Sequence, residues 1–109
     1  MKTTIEFLDA VKEKLGITSD YALAKRLGFS LSTVSNYRTG RRILDDDAAL
    51  DIAMALEVHP FEVIASVNAE RAKTPEQRAR WSGVMEKFSA SFNSLLLGAS
   101  PRRASFLTR

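Results

Sequence analysis

The sequence of 109 residues contains no cysteine and a single histidine, His59. The absence of cysteine excludes disulfide bridges, thiolate metal sites and cysteine nucleophiles. One histidine alone has no second imidazole with which to share a metal ion, and the sequence contains neither a nucleophile-base pair nor a glycine-rich phosphate loop. We therefore expect no enzyme activity, no bound metal and no cofactor.

Long apolar runs are also missing from the sequence. No stretch approaches the roughly 20 apolar residues of a membrane-spanning helix. The first ten residues carry Glu6 and Asp9 instead of the basic and apolar segments of a secretory signal. Hydrophobic residues make up 45% and charged residues 27% of the chain, as in ordinary folded domains. We expect a cytoplasmic protein with one compact core and no contact with a membrane.

The charged residues are divided into blocks of opposite sign. Residues 45–62 contain six acids and no base, whereas residues 71–109 contain eight Lys or Arg and two acids. The earlier segment, residues 21–44, has no acid and five basic residues: Lys25, Arg26, Arg38, Arg41 and Arg42. The net charge of +3 indicates little by itself. The first basic block indicates where an anionic partner would bind.

Three short helices are predicted in the first 40 residues. Residues that favour helix ends bound them, namely the caps Thr4, Ser19 and Ser30 and the glycines Gly16, Gly28 and Gly40. The apolar spacing of three and four residues predicts these inward positions: Ile5, Leu8, Val11 and Leu15, then Ala22, Leu23 and Leu27, then Leu31 or Val34 with Tyr37.

Three further helices are predicted after residue 44. The fourth begins in the run Asp45 to Asp47, and prolines suited to a first helical turn begin the fifth at Pro60 and the sixth at Pro75. The inward residues of the fourth and fifth are Leu50, Ile52, Ala53, Leu56, Phe61, Val63, Ile64 and Val67. The sixth carries a long apolar stripe, ended by Gly98 and Pro101: Trp81, Val84, Met85, Phe88, Phe92, Leu95 and Leu96.

No pair of alternating segments around a hairpin turn is present, so the pattern predicts an all-α fold. Its predicted parts are a five-helix domain over residues 1–72, a long amphipathic C-terminal helix over residues 73–98 and a mobile tail over residues 99–109. The stripe of the sixth helix comes after a complete five-helix core. We therefore favour self-association through the stripe, the alternative being that it folds back on the core.

The second and third helices, joined through Gly28, form the arrangement of a helix-turn-helix. Short polar side chains on the third helix reach base edges in a major groove, and these candidates are Ser32, Thr33, Ser35 and Asn36. An asparagine amide pairs with adenine through two hydrogen bonds, so Asn36 is the leading base reader. The candidates for phosphate contacts are Ser30, Arg38, Arg41 and Arg42.

The segment from Ser19 to Leu56 resembles the XRE-type, lambda-repressor-like helix-turn-helix family. The residues that carry the resemblance are "YALAKRLGFSLSTVSNYRTGRR" and "DDDAALDIAMALEVHPFEVI". They include the Leu23-Ala24 pair, the Gly28 turn, the aliphatic Val34 within a Ser/Thr-rich helix, and Gly40 followed by two arginines. The likeness extends from about Ile5 to Val67.

Two residues depart from the family pattern. Arg38 stands where many members have an acid, and Tyr37 stands where an aliphatic core residue is usual. The stretch "AERAKTPEQRARW", residues 69–81, is similar to the C-terminal extension of small phage-related repressors. The departures leave the expected fold intact and make the choice of base-reading groups less direct.

The resemblance implies a regulator that binds double-stranded DNA in the bacterial cytosol, associated with the nucleoid. It further implies a homodimer that represses transcription from a palindromic operator, with recognition helices about 34 Å apart, in a phage or prophage. A second hypothesis is a protein-interaction module, an antitoxin or host-factor binder, that holds its partner through residues 75–97. An RNA-binding module is disfavoured because most aromatic residues fall on apolar stripes.

Overall fold

The computed structural model describes residues 1–96, and the side chains of residues 1–91. This part of the chain contains no strand and six helices: α1 (Thr4–Leu15), α2 (Asp20–Leu27), α3 (Leu31–Arg38), α4 (Asp46–Leu56), α5 (Pro60–Arg71) and α6 (Pro75–Leu96). The predicted all-α fold of five helices and a long C-terminal helix is confirmed. The predicted helix end at Gly98 and Pro101 and the predicted tail lie outside the described residues.

The helix starts follow the predicted caps with one exception. The hydroxyls of Ser19 and Ser30 accept hydrogen bonds from the backbone of their first turns, at 3.1 Å and 3.0 Å. In α1 the cap is Thr3 and not Thr4, because Glu6 accepts from the Thr3 N–H at 2.9 Å and completes a capping box. The hydroxyl of Thr4 is used in the interior instead.

The buried core confirms the helical periodicity but corrects three of the inward positions. Ile5 and Leu50 are 39% and 41% exposed, and Ala22 is also exposed. Nearby apolar residues are buried in their helices instead: Phe7, Ala24, Ala48 and Ala49. Of the two alternatives in the third helix, Val34 is buried and Leu31 is 56% exposed. Where several apolar residues lie close together in the sequence, periodicity leaves the inward one open, and the packing of neighbouring helices decides.

Thr4 joins three distant parts of the chain. Its side chain is 1% exposed, and its N–H and hydroxyl donate to the Glu70 carboxylate in α5 at 2.9 Å and 2.7 Å. Its hydroxyl oxygen accepts from the Leu44 N–H at 3.3 Å. The Arg71 guanidinium donates to the carbonyl of the same Leu44. The loop that follows α3 is therefore held by α1 and α5.

Helix α6 folds back against α5. The ring of Phe88 lies 4.8 Å from that of Phe61 and 4.9 Å from that of His59, between ring centres. Trp81 and Met85 are half-buried, and Val84 is 45% exposed. Phe61 is in the first turn of α5, and α6 continues for eight residues after Phe88. We call residues 89–96 the overhang.

Candidate nucleic-acid interface

The turn between α2 and α3 is fixed by its backbone. Gly28 adopts φ +74°, in the left-handed region that glycine enters without steric strain, and the Phe29 N–H donates to the Ala24 carbonyl at 2.9 Å. Ser30 then caps α3 at once. Two short helices are thus joined at a rigid corner, which orients α3 relative to the core.

Helix α3 has one buried side and one polar side. Val34 and Tyr37 are 0% and 2% exposed, and the Tyr37 ring meets Phe29 edge-on at 6.1 Å between ring centres. The opposite side carries four side chains at spacings of three, one and three residues, which places them on one helical face. These four residues, the polar face of α3, are Ser32, Ser35, Asn36 and Thr39.

Thr33 lies beside the polar face and takes part in the cap. Its N–H and its hydroxyl oxygen both contact the Ser30 hydroxyl, at 3.0 Å and 2.8 Å. In this arrangement Ser30 donates its proton to Thr33, so the proton is not directed to solvent. The structure thus brings three of the four predicted base readers together, and it pairs Thr33 with Ser30.

The carbonyl of Asn36 organises the end of α3. It accepts from the N–H groups of Arg41 and Arg42 at 2.9 Å and 3.2 Å, and from the Thr39 hydroxyl at 3.3 Å. Gly40 makes this return possible with φ +80°. The two arginines are therefore held immediately beyond the polar face by the residue predicted to read a base.

The two arginines after Gly40 differ in their surroundings. The Arg42 guanidinium lies 5.6 Å from the centre of the Tyr37 ring, and it is 3.7 Å from the Asp45 carboxylate. Arg41 is exposed and has no carboxylate partner in the described part of the chain. Arg41 therefore carries the less compensated positive charge at this end of α3.

Arg38, a predicted phosphate contact, pairs with two carboxylates within the chain. Its guanidinium donates to the Asp9 carboxylate at 2.7 Å and twice to Asp20, at 3.1 Å and 2.9 Å, and Lys12 lies 3.2 Å from Asp20. The hydrogen bond from Arg38 is the main cause that lowers the pKa of the Asp20 carboxyl. Arg38 thus faces α1 and α2, where two carboxylates balance its charge.

Three exposed residues near these helices were not predicted to belong to a site. The spacing of Thr39 to Ser32 and Asn36 could have assigned it to the same helical face. Leu31 gave no such signal, because its apolar side chain was equally compatible with a position in the core. Tyr21 is 54% exposed, with the Lys25 ammonium 5.4 Å from its ring centre. The exposed surface of α2 and α3 is therefore more apolar than the polar motif alone indicates.

The predicted self-association stripe is only partly available. Trp81, Met85 and Phe88 are half-buried, and Val84 is the most exposed of the described members. The side chains of the remaining three, Phe92, Leu95 and Leu96, lie outside the described residues. The stripe therefore covers α5 over its first part, and its last members belong to the overhang.

None of the helices described is both long and apolar enough to cross a membrane. In the same residues, no three side chains of His, Asp or Glu lie close enough together to bind a metal ion.

Comparisons with known proteins divide the chain into two parts. A family model described as Helix-turn-helix matches residues 8–63, and one described as Phage related protein matches residues 64–106. The chain is similar to the uncharacterized protein Gp-c of Pseudoalteromonas phage PM2, with 34% identity over 84 residues, or 72% of this chain and 90% of the phage protein. No solved structure matches. The first match contains α2, α3 and the polar face.

Proposed function

Because this chain belongs to the helix-turn-helix family of DNA-binding regulators, we propose that it represses phage or prophage transcription by binding a palindromic operator as a homodimer. The observation that carries this proposal is the polar face of α3. It presents short hydrogen-bonding groups opposite a buried Val34 and Tyr37, so α3 enters a major groove without blocking the approach. The protein acts in the bacterial cytosol, at the nucleoid.

Base reading is assigned to Ser32, Ser35 and Asn36, and we add Thr39 from its position on the same face. Asn36 has no side-chain hydrogen-bond partner within the described residues, so its amide is available for adenine. Thr33 contributes mainly by completing the Ser30 cap. A cap of this kind fixes the first turn of α3 and hence the depth at which Ser32 enters the groove.

Phosphate contacts are assigned to Arg41 and Arg42, which the Asn36 carbonyl holds next to the polar face. These contacts provide affinity and register but no sequence choice. We assign Arg38 to positioning α3 against α1 and α2, because its guanidinium is paired with Asp9 and Asp20. Ser30 acts as a helix cap, and any phosphate contact at this residue uses its backbone.

The homodimer is assigned to the overhang together with Val84. Helix α6 has 22 residues and α5 has 12, which correspond to about 33 Å and 18 Å of helix. Phe88 packs beside Phe61 in the first turn of α5, and the last two turns of α6 follow this contact along the chain. The sequence places Phe92, Leu95 and Leu96 in these turns, and a second copy of the same helix provides an apolar surface to cover them.

The proposal is tested by measuring binding to duplex fragments from the DNA beside its own gene, at several salt concentrations. We expect Asn36→Ala to narrow the ratio of specific to non-specific affinity, and Arg41→Ala to weaken both affinities and lower the salt slope by about one per protomer. Glu13→Gln, a neutralised exposed carboxylate on α1, is the matched control. Equal binding of the wild type to these fragments and to random DNA would remove the regulator proposal.

A second candidate function is favoured by the groove between α5 and α6. This cavity of about 700 Å³ is lined by apolar Phe61, Trp81 and Val84 together with Arg71 and Arg80. A protein-interaction module, such as an antitoxin or host-factor binder, would use this surface and bind DNA weakly and without sequence preference. The salt and specificity measurements above therefore separate the two candidates.

A further inference from the structure

Leu31 is the first residue of α3, and its side chain is 56% exposed. The apolar spacing allowed either Leu31 or Val34 to face the core, and Val34 does so, with a side chain that is 0% exposed. The other exposed side chains of α3 are short and polar, so Leu31 is the exposed aliphatic side chain of this helix. A single exposed leucine is common on protein surfaces, so its meaning depends on where it lies.

The position of Leu31 adjoins the polar face. Ser35 follows it by four residues, so the two side chains lie one turn apart along the same side of α3. The Ser30 cap fixes the backbone of this first turn, with its hydroxyl 3.0 Å from the Thr33 N–H. Residues in the first turns of a recognition helix lie nearest to the base edges. Leu31 is therefore directed to the same groove as Ser32 and Ser35.

The chemistry of the groove identifies what an alkyl side chain recognises there. Base edges in the major groove present hydrogen-bond donors and acceptors, and the C5-methyl group of thymine is the apolar group among them. We infer that Leu31 is a specificity-determining residue that selects thymine through this methyl group. The inference rests on the proposed function, since it requires α3 to lie in a major groove.

The same contact disfavours the other bases. A leucine placed against a cytosine amino group or a purine edge displaces water from polar atoms and offers no hydrogen bond in return. Against thymine, the leucine and the methyl group are both removed from water. Selection at this position thus combines attraction to one base with a desolvation penalty for the others.

The test begins with duplexes that the wild-type protein selects from a random pool. Each thymine in the selected site is then replaced by deoxyuridine, which retains base pairing and lacks the C5-methyl group. In each half-site we expect one thymine at which a single replacement weakens binding about fourfold. This factor corresponds to a loss of about 0.8 kcal/mol for one buried methyl-sized group. This measurement uses the unaltered protein and does not depend on how a variant folds.

The thymine is assigned to Leu31 by repeating the replacement with variants. Leu31→Ala is expected to bind the thymine and deoxyuridine duplexes equally at that position, whereas Leu31→Met keeps the discrimination. Leu50→Ala is the matched control, because Leu50 is also an exposed leucine, 41% exposed, but lies on α4. It should behave as the wild type.

The outcomes distinguish failure of the proposed function from failure of the role of Leu31. If no duplex is enriched over random DNA, the proposed function fails, and this inference fails with it. If duplexes are enriched but contain no fixed thymine, or no deoxyuridine replacement weakens binding twofold, the function stands and the role of Leu31 is overturned. The same conclusion follows if Leu31→Ala retains the sensitivity of the wild type.

Discussion

The Arg38 guanidinium and the Asp20 carboxylate form a two-pronged hydrogen bond, at 3.1 Å and 2.9 Å, that ties the end of α3 to the first turn of α2. A fork of this kind fixes the relative orientation of its two groups as well as their distance. Asp20 also lies at the positive end of α2, where negative charge is favoured. The pair therefore stabilises the angle at which α3 is presented.

Asp20→Asn is expected to lower the free energy of unfolding by about 1 kcal/mol at pH 7. The effect is no larger because the Asp20 side chain is 35% exposed and solvent screens its ion pair with Arg38. The hydrogen bond from Arg38 lowers the pKa of Asp20 in the folded protein. The contribution of ionised Asp20 to the free energy of unfolding is therefore present above the unfolded pKa of about 3.9, and it is lost as the pH falls through the lower folded pKa. Urea unfolding across this range measures it.

The control for this prediction is Glu13→Gln, which neutralises an exposed carboxylate on α1. The difference between wild type and Asp20→Asn should shrink below about pH 4, where the unfolded wild-type chain takes up a proton at Asp20 before the folded protein does. A difference that stays constant down to pH 2 would mean that the ion pair with Arg38 does not stabilise the fold.

Thr4→Val tests the connection between α1, α5 and the loop after α3. The substitution keeps the shape of the side chain but removes the hydroxyl that donates to Glu70 at 2.7 Å and accepts from Leu44 at 3.3 Å. The Leu44 N–H is then buried without its acceptor, at a cost of about 2 kcal/mol. Chemical denaturation of Thr4→Val and of Thr18→Val, which alters an exposed threonine, measures the difference. Equal stability of the two variants would contradict the assignment.

The burial of Tyr37 leads us to expect a loss of stability at alkaline pH. Burial raises the pKa of its phenol above the ordinary value, and the Asp45 carboxylate adds to the effect. The folded protein therefore holds this proton while the unfolded chain releases it, so stability falls as the pH rises above about 10. The free energy of unfolding of Tyr37→Phe should fall less steeply from pH 9 to 11 than that of the wild type. Tyr21→Phe, at an exposed tyrosine, should retain the wild-type slope.

Local features of the structure were predictable from the sequence, and the XRE-type resemblance and its phage connection are confirmed by the comparisons. The caps Ser19 and Ser30 and the turn at Gly28 depend on neighbouring residues, so their sequence signals are direct. The partners of Arg38 were not predictable, because Asp20 and Asp9 are 18 and 29 residues away. Only the packing of α1, α2 and α3 brings these charges together.

The overhang leads to a prediction about assembly. Leu95→Glu places a charge in the last turns of α6, and we expect it to convert a dimer into a monomer in sedimentation experiments, because a carboxylate is unfavourable in an apolar interface. Ser91→Glu changes an exposed residue of the same segment and should leave the dimer intact. Helix content should be unchanged in both variants, since the contacts of Phe88 with Phe61 are retained. A dimer that persists in Leu95→Glu would move the interface elsewhere.

Arg38 and Arg41 should respond differently to neutralisation. Arg41→Gln removes an exposed charge beside the polar face, so it should reduce the slope of log affinity against log salt by about one per protomer and leave the unfolding free energy unchanged. Arg38→Gln leaves Asp9 without its cation and Asp20 with Lys12 alone, so it should lower the unfolding free energy by about 1–2 kcal/mol. Its salt slope should match the wild type, because two carboxylates already balance the charge of Arg38. Salt titrations on one duplex, paired with urea unfolding of each variant, separate these effects. A reduced slope in Arg38→Gln would show that Arg38 contacts a phosphate group, as the sequence predicts, and would contradict its assignment to positioning α3.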